Sequence, residues 1–596
     1  MSLQSIDWFI IGSFFAISML IGILVSKRAG RNTSEFFLSG RSMPWWLLGV
    51  SMVATTFSAD TPNLVADIVR NNGVSGNWVW WSFLLTGMLT VFLYAKLWRR
   101  SKVLTDLEFY ELRYSGKEAA FLRGFRALYL GVFFNIIIMA TVSLAAIKIG
   151  WILLGLTPVQ TLLVASVVTV IYSSLGGLKG VLITDFFQFF IAIIGSVWAT
   201  IVIVNIPEIG GLENLLIHEN VKDKLSILPD FSDMDTLIVV FIIPIAVQWW
   251  SVWYPGAEPG GGGYIAQRML SAKDEKNAVW ATLFFNVVHY AIRPWPWIII
   301  ALASLIVFPE VSDLAKAFPH VDAHIIRDDL SYPAMLTYLP SGLLGLVLAS
   351  LIAAFMSTIS THLNWGSSYV VNDFYQRFIR PEASGKELVL VARISTVLLM
   401  VFSALLALVL NNALQAFNIL LQIGAGTGLL FILRWFWYRI NAWSEITAMV
   451  VSFLASLYFQ LIHVNIGFSE IPPSHELIIV VLITTIAWVS ITLMTQPTNE
   501  ETLKSFYRLI KPGGPGWDKI STMVKNESTE DLLNSEEWDI PVAILCMVVG
   551  SMTVFSILFA IGYIIYGDFK LGAIMSSIGF LGTWCLMMLW KKLKMD

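Results

Sequence analysis

The stretch "VATTFSADTPNLVAD" (residues 53–67) lies inside a block that otherwise reads as a membrane span. "PWWLLGVSMVA" precedes its polar centre and "NLVADIV" follows it, so a proline, an aspartate and several hydroxyls sit where hydrocarbon is expected. Pro62 cannot donate a backbone hydrogen bond and frees the carbonyl one turn before it. A carbonyl left unsatisfied in hydrocarbon costs several kcal/mol, and a charge such as Asp60 adds about 3 kcal/mol on insertion scales. Such costs are tolerated where a broken helix lines a cavity or holds an ion. The competing reading is a simple proline kink with Asp60 near an aqueous edge.

The rest of the chain supplies the setting. Its 596 residues are 57% hydrophobic and 13% charged, about half the charge share of a soluble domain. Long apolar blocks alternate with short polar loops, the polytopic membrane pattern. The net charge of −3 implies no nucleic-acid partner. Cys546 and Cys585 lie in apolar C-terminal blocks and imply no disulfide or metal framework. The N-terminus lacks the basic start of a cleavable signal, and its first apolar block is long enough to span. The abundant tryptophans suit interfacial belts.

Judged against the roughly 20 residues needed to cross, about fifteen spans are expected. They lie near 7–26, 45–69, 77–98, 127–149, 157–177, 181–204, 236–256, 277–307, 341–372, 389–410, 414–435, 442–463, 475–495, 541–566 and 569–590. Basic loops such as "KRAGRNTSEFFLSGR" and "QRMLSAKDEK" all follow odd-numbered spans. The positive-inside rule therefore places the N-terminus outside and the C-terminal "KKLKMD" in the cytoplasm.

Span seven carries a second interruption, "YPGAEPGGGG", whose Pro255, Gly256, Pro259 and glycine run cannot form a regular lipid-facing helix. Spans two and seven are five apart. An odd offset inverts the second five-span unit relative to the first, and paired interruptions in inverted units point to a transporter's midplane site. The chain divides into a leading helix and loop (1–43), a first repeat (44–205), an extracellular loop (206–234), a second repeat (235–440), two further spans (441–496), a cytoplasmic linker (497–540) and a terminal hairpin (541–596).

Span nine carries "LIAAFMSTISTHLNWGSS", which sets Ala354, Ser357, Thr358 and Thr361 on neighbouring faces. Hydroxyl and carbonyl oxygens suit Na⁺, a hard cation. The competing reading is hydroxyls bonded to their own helix or joining helices. Asp185, about one turn inside span six, is either a helix-end carboxylate or a functional one.

At these residues the chain resembles the sodium:solute symporter family, which includes bacterial sodium–sugar and sodium–proline symporters. "TSEFFLSGRSMPWW" (33–46), "GGLKGVLITDFFQ" (176–188), "YIAQRMLSAKDEKNA" (264–278) and "ASLIAAFMSTIST" (349–361) carry the likeness. The resemblance implies an all-α, LeuT-like core of two inverted five-helix repeats with one leading helix and about four trailing ones. It implies a sodium site made by the carbonyls of Ala59, Pro62 and Ala354 and the hydroxyls of Ser357 and Thr358. Asp185, Ser360 and Thr361 fit a second sodium or a coupling role. Pro62 and the glycine-rich "PGAEPGGGG" depart from the family's pattern.

A central cavity lined by the broken helices and by spans three, eight and eleven would offer Asn63, Asn77, Trp78, Trp81, Gln248, Trp253, Glu258, His289, Arg293 and Gln422. Gln422 resembles a substrate-facing glutamine of sugar-transporting relatives. Tryptophans beside amides and acids suit a sugar, although any single tryptophan also fits a belt or packing role. Arg293 suits a carboxylate-bearing solute or pairs with Glu258. The expected function is sodium-coupled import of a small polar solute, a monosaccharide first and a carboxylate-bearing solute as the alternative, in a bacterial plasma membrane. Neither an organic cofactor nor an obligate protein partner is implied. A proton-coupled carrier titrating Asp60, Asp185 or His289 is a further alternative. No acid–base pair, nucleophile signature or metal spacing points to an enzyme.

Overall fold

The computed structural model describes residues 3–29, 33–251, 258–410, 421, 424–527 and 539–593. Among them the regular structure is helical, with a lone bridge between Met43 and Ala272. Among the described residues ten helices are long and apolar enough to cross a membrane, and Ser5–Ile21, Trp45–Thr56, Pro158–Ile171 and Met234–Trp250 are shorter apolar ones. Their order follows the expected spans. The first part of span eleven, residues 414–420 with 422 and 423, lies outside the described residues, and Gly428–Leu433 is its described helical end.

Spans five and six form one continuous helical assignment, Pro158–Val204, of 47 residues. Drawn straight it would run about 70 Å, more than twice the hydrocarbon thickness of about 30 Å. Thr161, near its start, packs against Gly150 at the end of span four. Thr200, near its finish, donates to the carbonyl of Pro296 at 3.1 Å. Lys148 pairs with Asp329, and Arg70 ties neighbouring Asp328 to Ser304 on span eight, so both ends reach the same side of the molecule. The segment therefore doubles back, and its two arms are the two expected spans.

Span two is broken as its chemistry requires. Its first half, Trp45–Thr56, closes with Phe57 N–H on Val53 O at 2.7 Å. Residues 57–60 are unwound, and helix resumes as Thr61–Asn72. Pro62 stands in the first turn of that second half, where its missing N–H is already surplus. Span seven is likewise interrupted between the helices Met234–Trp250 and Gly263–Ser271. There Gly260 and Gly261 adopt φ of +88° and +87°, a region that favours glycine. The Gly260 carbonyl accepts the Trp98 indole N–H at 2.7 Å.

Span eight widens into a π-turn at Val288–Ile292, just before Pro294. Arg293 N–H reaches back five residues to Val288 O at 3.1 Å. The wide turn accommodates a proline that cannot continue the regular ladder, and Arg293 just beyond it reaches the end of the first half of span two. Asp7 of span one caps the start of span nine, accepting from Gly342 N–H at 2.7 Å and Gly345 N–H at 2.9 Å.

The stretch read as a linker contains two helices, Glu500–Ile510 and Asp518–Glu527. They fold onto the face that carries the basic loops. Trp517 is buried, stacks on Phe506 and donates to Trp435 O at 2.9 Å. Arg100 of span three donates to Ile510 O at 3.0 Å. The terminal hairpin, Ile540–Ile565 and Phe569–Trp590, packs on spans three and eight, with Trp295 donating to Leu558 O at 3.1 Å.

Candidate functional site

The hydroxyls of span nine, within Leu343–Ser368, face the first half of span two and the second arm of the doubled-back helix. Asp185 is fully buried between them. One carboxylate oxygen accepts from Ser357 at 2.6 Å and the other from Ser51 at 2.5 Å. Thr358 donates to the Thr55 carbonyl at 2.7 Å, and the Thr55 and Thr361 hydroxyls meet at 3.1 Å. Ser360 donates to Ser357 O at 3.1 Å within its own helix. Arg268, from the helix after the second break, donates to Thr361 at 2.8 Å and to Ser51 at 3.3 Å.

This arrangement orients oxygens. Ser357 spends its proton on Asp185, so it offers lone pairs alone to anything beside it. Ala354 lies one turn earlier on the same helix. Ala59 sits in the unwound stretch and shares a cavity wall with Leu351, Phe355 and Met356 of span nine. The Ser58 hydroxyl and one Asp60 oxygen in that stretch are buried without a protein partner. A hard cation is what such a donor-poor oxygen set accommodates. Pro62 lies in the first turn of the resumed helix, two residues beyond the unwound stretch. Ser51, Thr55 and Arg268 were absent from the residues singled out by sequence. The signal for the first two is their i, i+4 spacing on an otherwise apolar helix.

The solute candidates divide. Asn63 is buried and neither amide atom has a protein partner, and the Trp81 indole N–H is buried and unpartnered too. Arg293 is buried, its guanidinium lying 5.6 Å from the Phe57 ring and 5.1 Å from the Trp297 ring. Its Nη1 donates to Val53 O and Thr56 Oγ1, both at 3.3 Å, while Nε and Nη2 lack protein partners. Those two N–H groups form the side-on fork that matches a carboxylate. His289 packs against Trp80, Phe285 and Tyr290.

Other candidates are engaged in holding the fold. Asn77 donates to Val74 O at 2.9 Å and accepts from Trp80 at 2.8 Å. Trp78 donates to Ile227 O at 3.0 Å and packs against the terminal hairpin through Phe555. Gln248 donates to Val79 O. The suggested pairing of Glu258 with Arg293 is corrected: Glu258, inside the second break, pairs with Arg126 of span four, while Arg293 is turned to Val53 and Thr56 of span two. Trp253 and Gln422 lie outside the described residues.

Known proteins resemble this chain over most of its length. A model of the sodium:solute symporter family matches residues 36–452. The chain is 24% identical over 483 residues to a sodium/glucose cotransporter of Vibrio parahaemolyticus, covering 78% of this chain and 87% of that protein. It is 26% identical over 474 residues to a sodium/sialic acid symporter of Proteus mirabilis, covering 76% and 89%. A solved sodium-coupled sialic acid symporter, substrate-bound and outward-open, matches with a TM-score of 0.65 at 22% identity, covering 83% of this chain and 99% of that one. The likeness shows a LeuT-like fold.

Proposed function

Because the chain belongs to the sodium:solute symporter family, we propose that it imports a small polar organic solute with Na⁺, holding the ion between the unwound stretch of span two and the hydroxyl turn of span nine. The observation that carries this reading is the stitching of those two helices by Asp185, Thr55 and Thr358 around oxygens turned to accept. The ligands are the carbonyls of Ala59, Pro62 and Ala354 with the hydroxyls of Ser357 and Thr358. Asp185 sets the direction of the Ser357 lone pairs, and with Ser360 and Thr361 it forms the candidate second sodium position. The protein sits in a bacterial plasma membrane, with its N-terminus outside and the basic loops in the cytoplasm.

The energetics suffice. One Na⁺ moving down about 100 mV contributes about 2.3 kcal/mol, and a tenfold sodium gradient adds roughly 1.4 kcal/mol. Together they support a solute gradient of a few hundred-fold per ion, by the rule of about 1.4 kcal/mol per decade. Coupling follows if ion and solute each favour the same conformation, because linkage is reciprocal.

A sugar fits Asn63, Trp81 and the names of the glucose, mannose and inositol relatives. The open fork of Arg293 favours the second reading, a solute that carries a carboxylate, as sialic acid does. The test is uptake into proteoliposomes of labelled neutral and acidic sugars in sodium or choline buffer. Ser357→Ala with Thr358→Ala should raise the sodium needed for half-maximal uptake steeply. Equal uptake in choline would refute sodium coupling. Arg293→Gln should abolish uptake of an acidic solute and only weaken that of a neutral one, and the reverse pattern would exclude the carboxylate reading.

A further inference from the structure

A cavity of about 300 Å³ opens beside span one, walled by the end of span four, the start of span five, span nine and Ala59 of the unwound stretch. Among the described residues that line it none is charged, and Thr161 alone carries a hydroxyl. Trp8 and Val164 stand at its rim, 55% and 54% exposed. Phe9, Ile17, Leu163 and Val167, on the same two helices, are likewise at least half exposed. The rim therefore lies on the apolar outer surface of the molecule, the surface that a bilayer covers. At the inner end Ala59 meets Leu351, Phe355 and Met356 of span nine, all of them buried.

Such a lining excludes ions and polar solutes, which would lose their hydration without gaining partners, and an apolar hollow stays dry. Its size lies at the lower end of small-molecule pockets, which run upward from about 300 Å³. We propose that this cavity is a binding site for one acyl chain of a bilayer phospholipid. The chain is the apolar molecule that the rim already faces, and it is narrow and flexible enough to thread between two helices. It passes from one hydrocarbon medium to another, so the driving force is van der Waals contact with walls that otherwise have no atoms opposite them. The lodged chain presses on Ala59 and on Leu351 and Phe355 together. It thereby favours the arrangement that sets the unwound stretch against span nine, the one that Na⁺ also favours, and this consequence alone rests on the transport reading.

The experiment uses the full chain in phosphatidylcholine vesicles doped with a phosphatidylcholine whose acyl chain ends in a diazirine, photolysed and then mapped by peptide mass spectrometry. Wild type should be labelled at buried Leu351 or Phe355 as well as at exposed Leu163 and Val167. Ala146→Phe and Ala165→Phe fill the cavity from different helices. Each should lose the label on span nine and keep that on Leu163 and Val167, which reports a folded chain in the bilayer. Absence of label on span nine in wild type, or its persistence in both filled variants, would overturn the proposal. Replacing choline with sodium should raise the span-nine label in wild type. A span-nine label that is lost on filling but equal in the two buffers upholds the chain site and refutes its link to the ion.

Discussion

Asp185→Asn offers the sharpest check on the ion cluster. The carboxylate accepts two hydroxyl protons, from Ser357 at 2.6 Å and Ser51 at 2.5 Å. An asparagine has the same size and one acceptor, so in either orientation its NH₂ faces one of the two hydroxyls. Turned to Ser357, it forces that proton toward the proposed ion. Turned to Ser51, it crowds a hydroxyl that already accepts from Arg268 at 3.3 Å. Each orientation forfeits one charge-assisted bond, about 1.5–3 kcal/mol, which corresponds to roughly a 10- to 150-fold weaker apparent sodium affinity. The assay is initial uptake against sodium concentration at constant ionic strength, alongside thermal unfolding to confirm folding. A folded variant whose sodium dependence matches wild type would refute the idea that Asp185 orients the Ser357 lone pairs.

Three further outcomes follow from other parts of the molecule. Asp7→Leu should lower thermal stability by about 1–2 kcal/mol, the upper range for a charge at a helix start, read as the unfolding midpoint of the detergent-solubilised protein. Trp517→Ala should release the two helices of 500–527: a buried tryptophan truncated to alanine costs about 3–5 kcal/mol, so hydrogen exchange over 500–527 should accelerate while spans six and nine keep their protection. In the loop between spans three and four, burial pushes the Glu111 carboxyl up, but hydrogen bonds from Arg377 and Arg123 outweigh it and hold it below its ordinary value. Its stabilising contribution is therefore complete above about pH 4.3 and is lost as the pH falls through the lower folded value. Glu111→Gln should flatten the acid limb of the melting-temperature profile relative to wild type.

What could be read from sequence was what hydrocarbon forbids. Asp60, Pro62 and the glycine run of span seven are so costly in lipid that a break was the economical reading, and both breaks are present. The exact place was less legible: residues 57–60 unwind, while Pro62 serves the next helix as an ordinary first-turn proline. Asp185 stood out as a lone buried carboxylate. Its partners did not, because serines and threonines in apolar helices usually bond their own backbone and Arg268 reads as a loop-side charge. The Arg126–Glu258 pair spans two distant segments, and no local periodicity encodes it. The helices of 500–527 were hidden by their polar composition, since only Phe506, Trp517 and a few neighbours form the buried face.

The terminal hairpin has a mechanical corollary. Trp295 bonds Leu558 and Trp78 packs on Phe555, so the last two helices are fastened to spans three and eight, which flank the broken elements. Phe580, Leu581 and Trp584 lie on its outward side, more than half exposed. Any rocking of spans three and eight must sweep this greasy outrigger sideways through the acyl chains. Turnover should accordingly carry a viscous load from the bilayer, slowing in stiff or mismatched lipid even when ion and solute occupancy are unchanged.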